Sequence, residues 1–212
     1  MATSTVKICG LSTPAALDAA IGAGASHVGF VFFDRSPRAV SPAQAGALSA
    51  PIGVGRVGVF VDADDELLAD AIRGARLTAI QLHGSEDPGR VAAVRATFGL
   101  ETWKALPIRT RADLERARHY RGAADRLVYD AKTPDGSALP GGMGLRFDWQ
   151  LLDGFSHPLP WALSGGLDAA NVGEAIRSTG ARLVDVSSGV ETAPGLKDID
   201  RIVAFCQAVA AS

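Results

Sequence analysis

The stretch Val6-Lys7-Ile8-Cys9-Gly10-Leu11-Ser12-Thr13-Pro14, running on into AALDAAIGAG at residues 15–24, decides how the fold is read. A short apolar run ends at a glycine, and a Ser/Thr pair with a proline then opens an Ala-rich amphipathic segment. A Ser or Thr oxygen accepts from the free N–H groups of a first helical turn, and proline lacks the N–H that such a turn leaves unsatisfied. Strand followed by helix is therefore the expected pair. The same unit recurs down the chain. Further strand-like runs are HVGFVF from His27, VGVFV from Val57, LTAIQLH from Leu77, ETWKAL from Glu101, RLVYD from Arg126, WALSG from Trp161 and LVDVSS from Leu183. Helix starts fall at Ser41-Pro42, Asp62 through Glu66, Glu86-Asp87-Pro88, Thr110, Phe147-Asp148-Trp149 and Asp168, with a last helix from about Asp198 to Ala210.

Eight strand candidates without clean polar/apolar alternation imply strands covered on both faces, hence a parallel sheet. Eight strand–helix units point to an α/β chain forming a single (β/α)8 TIM barrel domain over residues 1–212. A doubly wound open sheet accounts for the alternation too, but usually carries fewer strands in this length. No linker or charge block marks a division into two domains.

A chain of 212 residues buries about 70% of its unfolded surface, so its core needs no metal or disulfide staple. Lys+Arg of 21 against Asp+Glu of 23 leaves a formal charge of -2, which gives no footprint for nucleic acid. Cys9 and Cys206 fit neither a metal-ligand nor a CxxC spacing. The N-terminus lacks the apolar stretch of a signal peptide and no run reaches membrane-spanning length, so a cytoplasmic protein with reduced thiols is expected. GVGRVG at residues 53–58 spells the dinucleotide fingerprint, but it enters a strand instead of following one and is read as coincidence.

Active sites of (β/α)8 barrels lie at the C-terminal ends of the strands. There this sequence places Lys7 and Cys9, Asp34 to Arg38, Asp62, Gln81 and His83, Lys104, Asp130, Ser164 to Gly166, and Asp185 to Gly189. The turns Ser164-Gly165-Gly166 and Ser187-Ser188-Gly189 follow the seventh and eighth strands, where barrels commonly hold a phosphate on backbone N–H groups. A long irregular stretch, residues 131–146, contains Gly136, Pro140, Gly141, Gly142 and Gly144 and follows the sixth strand, as a lid does.

In order along the chain, VKICGL, GFVFF with SPRAV (Ser36–Val40), VGVFV, QLHG (Gln81–Gly84), the acid strand ending at Asp130, GGMG with FDW (Gly141–Trp149), LSGGL (Leu163–Leu167) and DVSSGVE with PG-x-KD (Asp185–Asp198) resemble the phosphoribosylanthranilate isomerases of tryptophan biosynthesis. The resemblance spans nearly the whole chain. It implies an Amadori rearrangement of N-(5-phosphoribosyl)anthranilate to 1-(2-carboxyphenylamino)-1-deoxyribulose 5-phosphate, without cofactor or metal. The family's general base then falls on Cys9 and its general acid on Asp130. Arg38 becomes the partner of the anthranilate carboxylate, for which its planar fork is suited. Lys7, His83 and Asp185 become substrate contacts, and Gly165, Gly166, Ser187, Ser188 and Gly189 the phosphate site. Gly141, Gly142, Met143 and Gly144 become an active-site loop, in which Met143 stands where the family usually has threonine.

Two pKa expectations follow from these roles. Lys7, two residues from Cys9 on the same strand face, would favour the thiolate, and desolvation under a closed loop would raise Asp130. A small-molecule substrate is the expected partner, with no nucleic acid or membrane, and a monomer is favoured. The competing readings are another sugar-phosphate barrel isomerase or epimerase, and a barrel that binds a phosphorylated metabolite without turning it over.

Overall fold

A computed structural model of the protein describes residues 4–134, 137 and 141–212. Eight strands, β1 (Thr5–Cys9), β2 (His27–Phe32), β3 (Gly55–Phe60), β4 (Ala79–Leu82), β5 (Glu101–Ile108), β6 (Arg126–Ala131), β7 (Trp161–Leu163) and β8 (Leu183–Val186), close into a barrel in chain order. Every neighbouring pair is parallel, and β1 meets β8 to complete the ring. GVGRVG runs into β3, with Gly55 and Gly58 both in the strand and no helix following it directly. Seven helices stand outside: α1 (Pro14–Gly22), α2 (Pro42–Ala47), α3 (Asp65–Ala75), α4 (Pro88–Phe98), α5 (Arg111–Glu115), α6 (Val172–Thr179) and α7 (Ile199–Ala210), counted among the described residues. No helix is long and apolar enough to cross a membrane among the described residues.

The caps have the chemistry their sequences announce. Ser41 and Gln44 form a capping box at α2, and Thr110 and Asp113 form another at α5. Asp64, Asp87 and Asp198 accept from Leu67, Arg90 and Arg201 at the starts of α3, α4 and α7. Arg56 of β3 points outward and donates to the carbonyls of Ala45, Leu48 and Ala75, so one cation closes the C-terminal ends of both α2 and α3.

Two helix expectations require correction. The signal at Phe147-Asp148-Trp149 yields one 3-10 turn, Trp149–Leu152, because the chain then leaves the barrel wall through Gly154 in a left-handed conformation. An aromatic cluster covers that sector instead. His157 stacks on Trp161 at 4.5 Å and packs edge-on against Phe155, while its Nδ1 lies 3.2 Å from the Tyr129 hydroxyl. Burial pushes His157 down to about 4, so a neutral ring shares this hydrogen bond with the tyrosine hydroxyl. Asp168 does not start α6 either. Its carboxylate accepts from Ala170 and Asn171 in a turn, and the helix begins at Val172.

Inside the barrel, Val57, Ala79, Trp103, Ala105, Val128, Ala162 and Leu183 pack as a closed apolar cluster. Cys9, Val31 and Val59 form a second cluster with Phe33 nearer the strand C-termini. The main core lies between the barrel wall and the surrounding helices.

Candidate active site

Parallel pairing sets Lys7 of β1 opposite Asp185 of β8, and both side chains turn into the barrel. The Lys7 ammonium lies 2.9 and 3.0 Å from the two Asp185 carboxylate oxygens, with both groups buried. Burial alone would lower Lys7, but the Asp185 carboxylate and Cys9 outweigh it and hold it above the usual lysine value. Lys7 therefore lies beneath the site, fully enclosed, and not among the cavity-lining side chains as the expected substrate contact would be.

Cys9 stands two residues further along β1, on the cavity wall. The expected depression of its thiol does not occur. Burial pushes Cys9 up, Lys7 pulls it down, and the Asp185 carboxylate pushes it up again. A lysine already neutralised by a carboxylate offers too little net field to offset desolvation. Gly29 of β2 makes the close packing possible: a Cβ there would come within 2.8 Å of the Cys9 sulfur and 3.2 Å of Lys7 Cε.

Asp130 ends β6. Its Oδ1 accepts from the Ala131 N–H at 2.9 Å, and its Oδ2 lies 3.2 Å from His83 Nε2. His83 Nδ1 is 3.0 Å from the Gln81 amide nitrogen, which assigns the ring proton to Nε2, facing Asp130. Buried Gln81 Oε1 has no partner among the described residues. His83, expected as a pocket contact, is thus the immediate partner of the carboxylate.

The guanidinium of Arg38, in the loop after β2, is held by Glu191, with Nε to Oε1 at 2.8 Å and Nη2 to Oε2 at 2.7 Å. Nη2 also donates to the Gly142 carbonyl at 3.1 Å, and Nη1 donates to none of the described residues. Glu191 begins a small hairpin of β9 (Glu191–Ala193) and β10 (Leu196–Lys197) that follows β8. Neither Glu191 nor Lys197 was singled out as a site residue from sequence, although both lie inside the DVSSGVE and PG-x-KD motifs.

The glycine-rich loop lies over these groups. Gly141 sits so close to Asp130 and His83 that a Cβ would reach 2.5 Å from Asp130 Oδ2, and Gly142 abuts Arg38 Nη1. Met143 is half exposed. Gly136 and Pro140 of the same stretch lie outside the described residues.

Gly165, Gly166 and Ser188 line the cavity beside this loop. Gly166 has φ +62 and its missing Cβ would come within 2.8 Å of the Leu145 carbonyl, so only glycine fits there. Of the other expected phosphate ligands, Ser187 also lines the cavity and Gly189 does not. The Ser187 hydroxyl is spent on the Cys9 carbonyl at 3.1 Å and also receives Lys197 at 3.2 Å. Gly189 is pressed against the Leu167 backbone, off the cavity wall.

Cys9, Arg38, His83, Asp130, Asp185 and the glycine turns surround one cavity of about 820 Å³, counting its open mouth. No group of three or more His, Cys, Asp or Glu is placed to hold a metal ion among the described residues. A thiol and a carboxylate on separate strands, an arginine with free N–H groups and two glycine turns define a barrel fitted for acid–base chemistry on a small anionic molecule.

The model of the family described as N-(5'phosphoribosyl)anthranilate (PRA) isomerase matches residues 6–208. The chain is 59% identical over 206 residues, 96% of each chain, to the N-(5'-phosphoribosyl)anthranilate isomerase of Zymomonas mobilis subsp. pomaceae. Among solved structures, the phosphoribosyl anthranilate isomerase of Thermotoga maritima superposes with a TM-score of 0.88 at 37% identity, covering 99% of this chain and 100% of that one. A phosphoribosyl anthranilate isomerase in complex with reduced 1-(o-carboxyphenylamino)-1-deoxyribulose 5-phosphate superposes at 0.83 with 34% identity, covering 99% and 100%. The chain belongs to the N-(5'-phosphoribosyl)anthranilate isomerase family.

Proposed function

We propose that this chain, acting as a single barrel unit over residues 1–212, converts N-(5-phosphoribosyl)anthranilate to 1-(2-carboxyphenylamino)-1-deoxyribulose 5-phosphate in tryptophan biosynthesis, with Asp130 as general acid and Cys9 as general base. The observation that carries the reading is that both groups line one cavity, from β6 and β1, between Arg38 and the glycine turns. Asp130 gives a proton to the furanose ring oxygen as the C1–O bond breaks, and the anilino nitrogen lone pair forms the C=N bond of an iminium. The Cys9 thiolate then takes the proton from C2, and the C–H electrons form a C1=C2 bond while the iminium is neutralised. The resulting enolamine tautomerises to the ketone. His83 Nε2, facing Asp130, orients the carboxyl.

Arg38 Nη1 is available for the anthranilate carboxylate, and the N–H groups around Gly165, Gly166 and Ser188 for the phosphate. Anchoring both ends of the substrate away from the reacting carbons is the kind of remote binding that raises turnover. Cys9 and Cys206 are both free thiols, which supports work in the cytoplasm. One chain supplies every group named here, which supports a monomer.

Incubation with fluorescent phosphoribosylanthranilate tests the reading. Rapid loss of fluorescence with stoichiometric formation of the carboxyphenylamino-deoxyribulose phosphate is the expected result. Substrate that decays only at its spontaneous rate overturns it.

A further inference from the structure

The hairpin after β8 contains a buried ion pair that reaches two separate parts of the cavity. Lys197 Nζ lies 2.6 Å from Glu191 Oε1, and both side chains are almost completely enclosed. In one direction Glu191 grips the Arg38 guanidinium at two points. In the other, Lys197 donates to the Ser187 carbonyl at 3.0 Å and to its hydroxyl at 3.2 Å, and that hydroxyl donates to the Cys9 carbonyl at 3.1 Å. Arg201 of α7 holds the Glu191 backbone carbonyl, tying the hairpin to the helix behind it. Gly10, with φ +76, sits against both branches: its missing Cβ would fall 2.6 Å from Arg38 Cδ and 3.2 Å from the Ser187 hydroxyl.

A buried charge triad is a costly way to stabilise a hairpin, because each ion gives up hydration that an apolar contact would not require. What it supplies is direction. An arginine on a loop has many rotamers, and its fork matches a carboxylate only when its plane is fixed. With Nε and Nη2 on Glu191, and Nη2 also donating to the Gly142 carbonyl, only the N–H groups of Nη1 are left, and they point one way. The triad of Arg38, Lys197 and Glu191 also carries one surplus positive charge, which suits an anionic ligand.

We propose that Glu191 and Lys197 are positioning residues of the active site, with Glu191 aiming Arg38 at the carboxylate of the substrate's aromatic ring and Lys197 fixing the Cys9 backbone through Ser187. The inference rests on the reading of Arg38 as carboxylate partner and Cys9 as base. Neither hairpin residue is asked to touch substrate. The two branches predict different kinetic signatures. Glu191 acts on recognition of one functional group, whereas Lys197 acts on the placement of the base.

The test compares two ligands of the wild-type enzyme, reduced carboxyphenylamino-deoxyribulose phosphate and its anilino counterpart lacking the carboxyl. Glu191→Gln is expected to weaken the carboxylated ligand by about tenfold and the anilino ligand by less than about twofold, since only one of them uses the aimed guanidinium. Ser187→Ala, a smaller change, is expected to lower kcat about three- to tenfold with both ligand affinities kept. Equal weakening of both ligands by Glu191→Gln would mean that the pair merely supports the fold, and no change in either would mean that it does nothing for Arg38. Either result overturns the inference, as does an unchanged kcat in Ser187→Ala. If Glu191→Gln does not fold, Glu191→Asp, which keeps the charge but withdraws it, is put to the same ligand comparison. A wild-type enzyme that turns over substrate but fails these comparisons loses only this inference, whereas one without turnover loses the functional reading beneath it.

Discussion

Below the Lys7–Asp185 pair the barrel interior is filled by Val57, Ala79, Trp103, Ala105, Val128, Ala162 and Leu183, whereas above it the same eight strands present Cys9, Gln81, Asp130 and the loop residues His83 and Arg38. Both halves are deeply buried, so burial does not distinguish them. The lower half gains free energy by removing apolar surface from water and asks nothing of orientation. The upper half holds ionisable groups that would each be costly alone, and it tolerates them by pairing: Lys7 with Asp185, Arg38 and Lys197 with Glu191, His83 with Asp130. The difference teaches that the lower plug supplies stability that the upper ring consumes in fixing chemistry. Damage to one half is therefore expected to leave the other's property largely intact.

The largest effect expected is on the upper half. Cys9→Ala removes the proposed base and little volume, and turnover is expected to fall about 10²–10⁴-fold with product affinity and melting temperature nearly kept. A folded variant retaining wild-type kcat would remove Cys9 from the mechanism. The thiol also fixes the sign of the pH dependence. Because burial raises Cys9, the thiolate forms only above the ordinary thiol value of 9.0, so kcat/KM of the wild type is expected to rise with pH through a limb on the alkaline side of it. Stability runs the opposite way. The unfolded thiol releases its proton at the ordinary value while the folded one keeps it, so stability present below that value is lost as pH rises through the folded one. Denaturant titrations of wild type and Cys9→Ala at pH 8 and pH 10 check this, and the wild type should lose more between the two.

The converse experiment is Trp103→Ala. Trp103 is fully buried at the base of the barrel, packed edge-on against His27 at 5.3 Å and covered by Arg126. Truncation is expected to cost about 3–5 kcal/mol of stability, read as a lower denaturation midpoint, with kcat/KM of the folded fraction within about threefold of wild type. A loss of activity as deep as that of Cys9→Ala at full stability would join the two halves into one functional unit and dissolve the distinction.

The division between halves also governs what the sequence disclosed. Strands were legible because each carries an apolar run between turn signals, and β2 and β5 begin at the residues from which their runs were read, His27 and Glu101. The helix after β6 was not, since Asp148 caps a single turn as readily as a long helix and nothing local announces that Phe155, His157 and Trp161 will cover the wall instead. In the site, the place of Cys9, Asp130, Arg38 and His83 on one cavity wall was legible by strand-end position and motif together. Lys7 was visible as a residue but not as a buried pair, because its partner is 178 positions away and only the closing β1–β8 register brings it near. The partners of the Ser187 hydroxyl were hidden for the same reason. Its hydroxyl meets Lys197 and Cys9, two contacts that depend on how the hairpin folds back.

The smallest effect expected is at Met143, where this chain departs from the threonine usual at that place in the loop. The side chain is half exposed, and the groups of the loop that meet the site are its neighbours: Gly141 against Asp130 and His83, and the Gly142 carbonyl accepting from Arg38. The loop thus meets Asp130, His83 and Arg38 through the backbone and missing side chains of Gly141 and Gly142, while Met143 adds a half-exposed stretch of the cavity lining. Threonine is stiffer and brings a hydroxyl, methionine is flexible and apolar, and either fits a half-exposed position at the cavity edge without altering those backbone contacts. Met143→Thr is therefore expected to change kcat by about threefold at most, through loop motion or product release, with the pH limb unmoved. Steady-state kinetics across pH check this. A collapse of turnover, or a new titrating limb, would place residue 143 inside the chemistry of the upper half, whereas a change confined to kcat that grows with solvent viscosity would identify it as part of the loop's opening step.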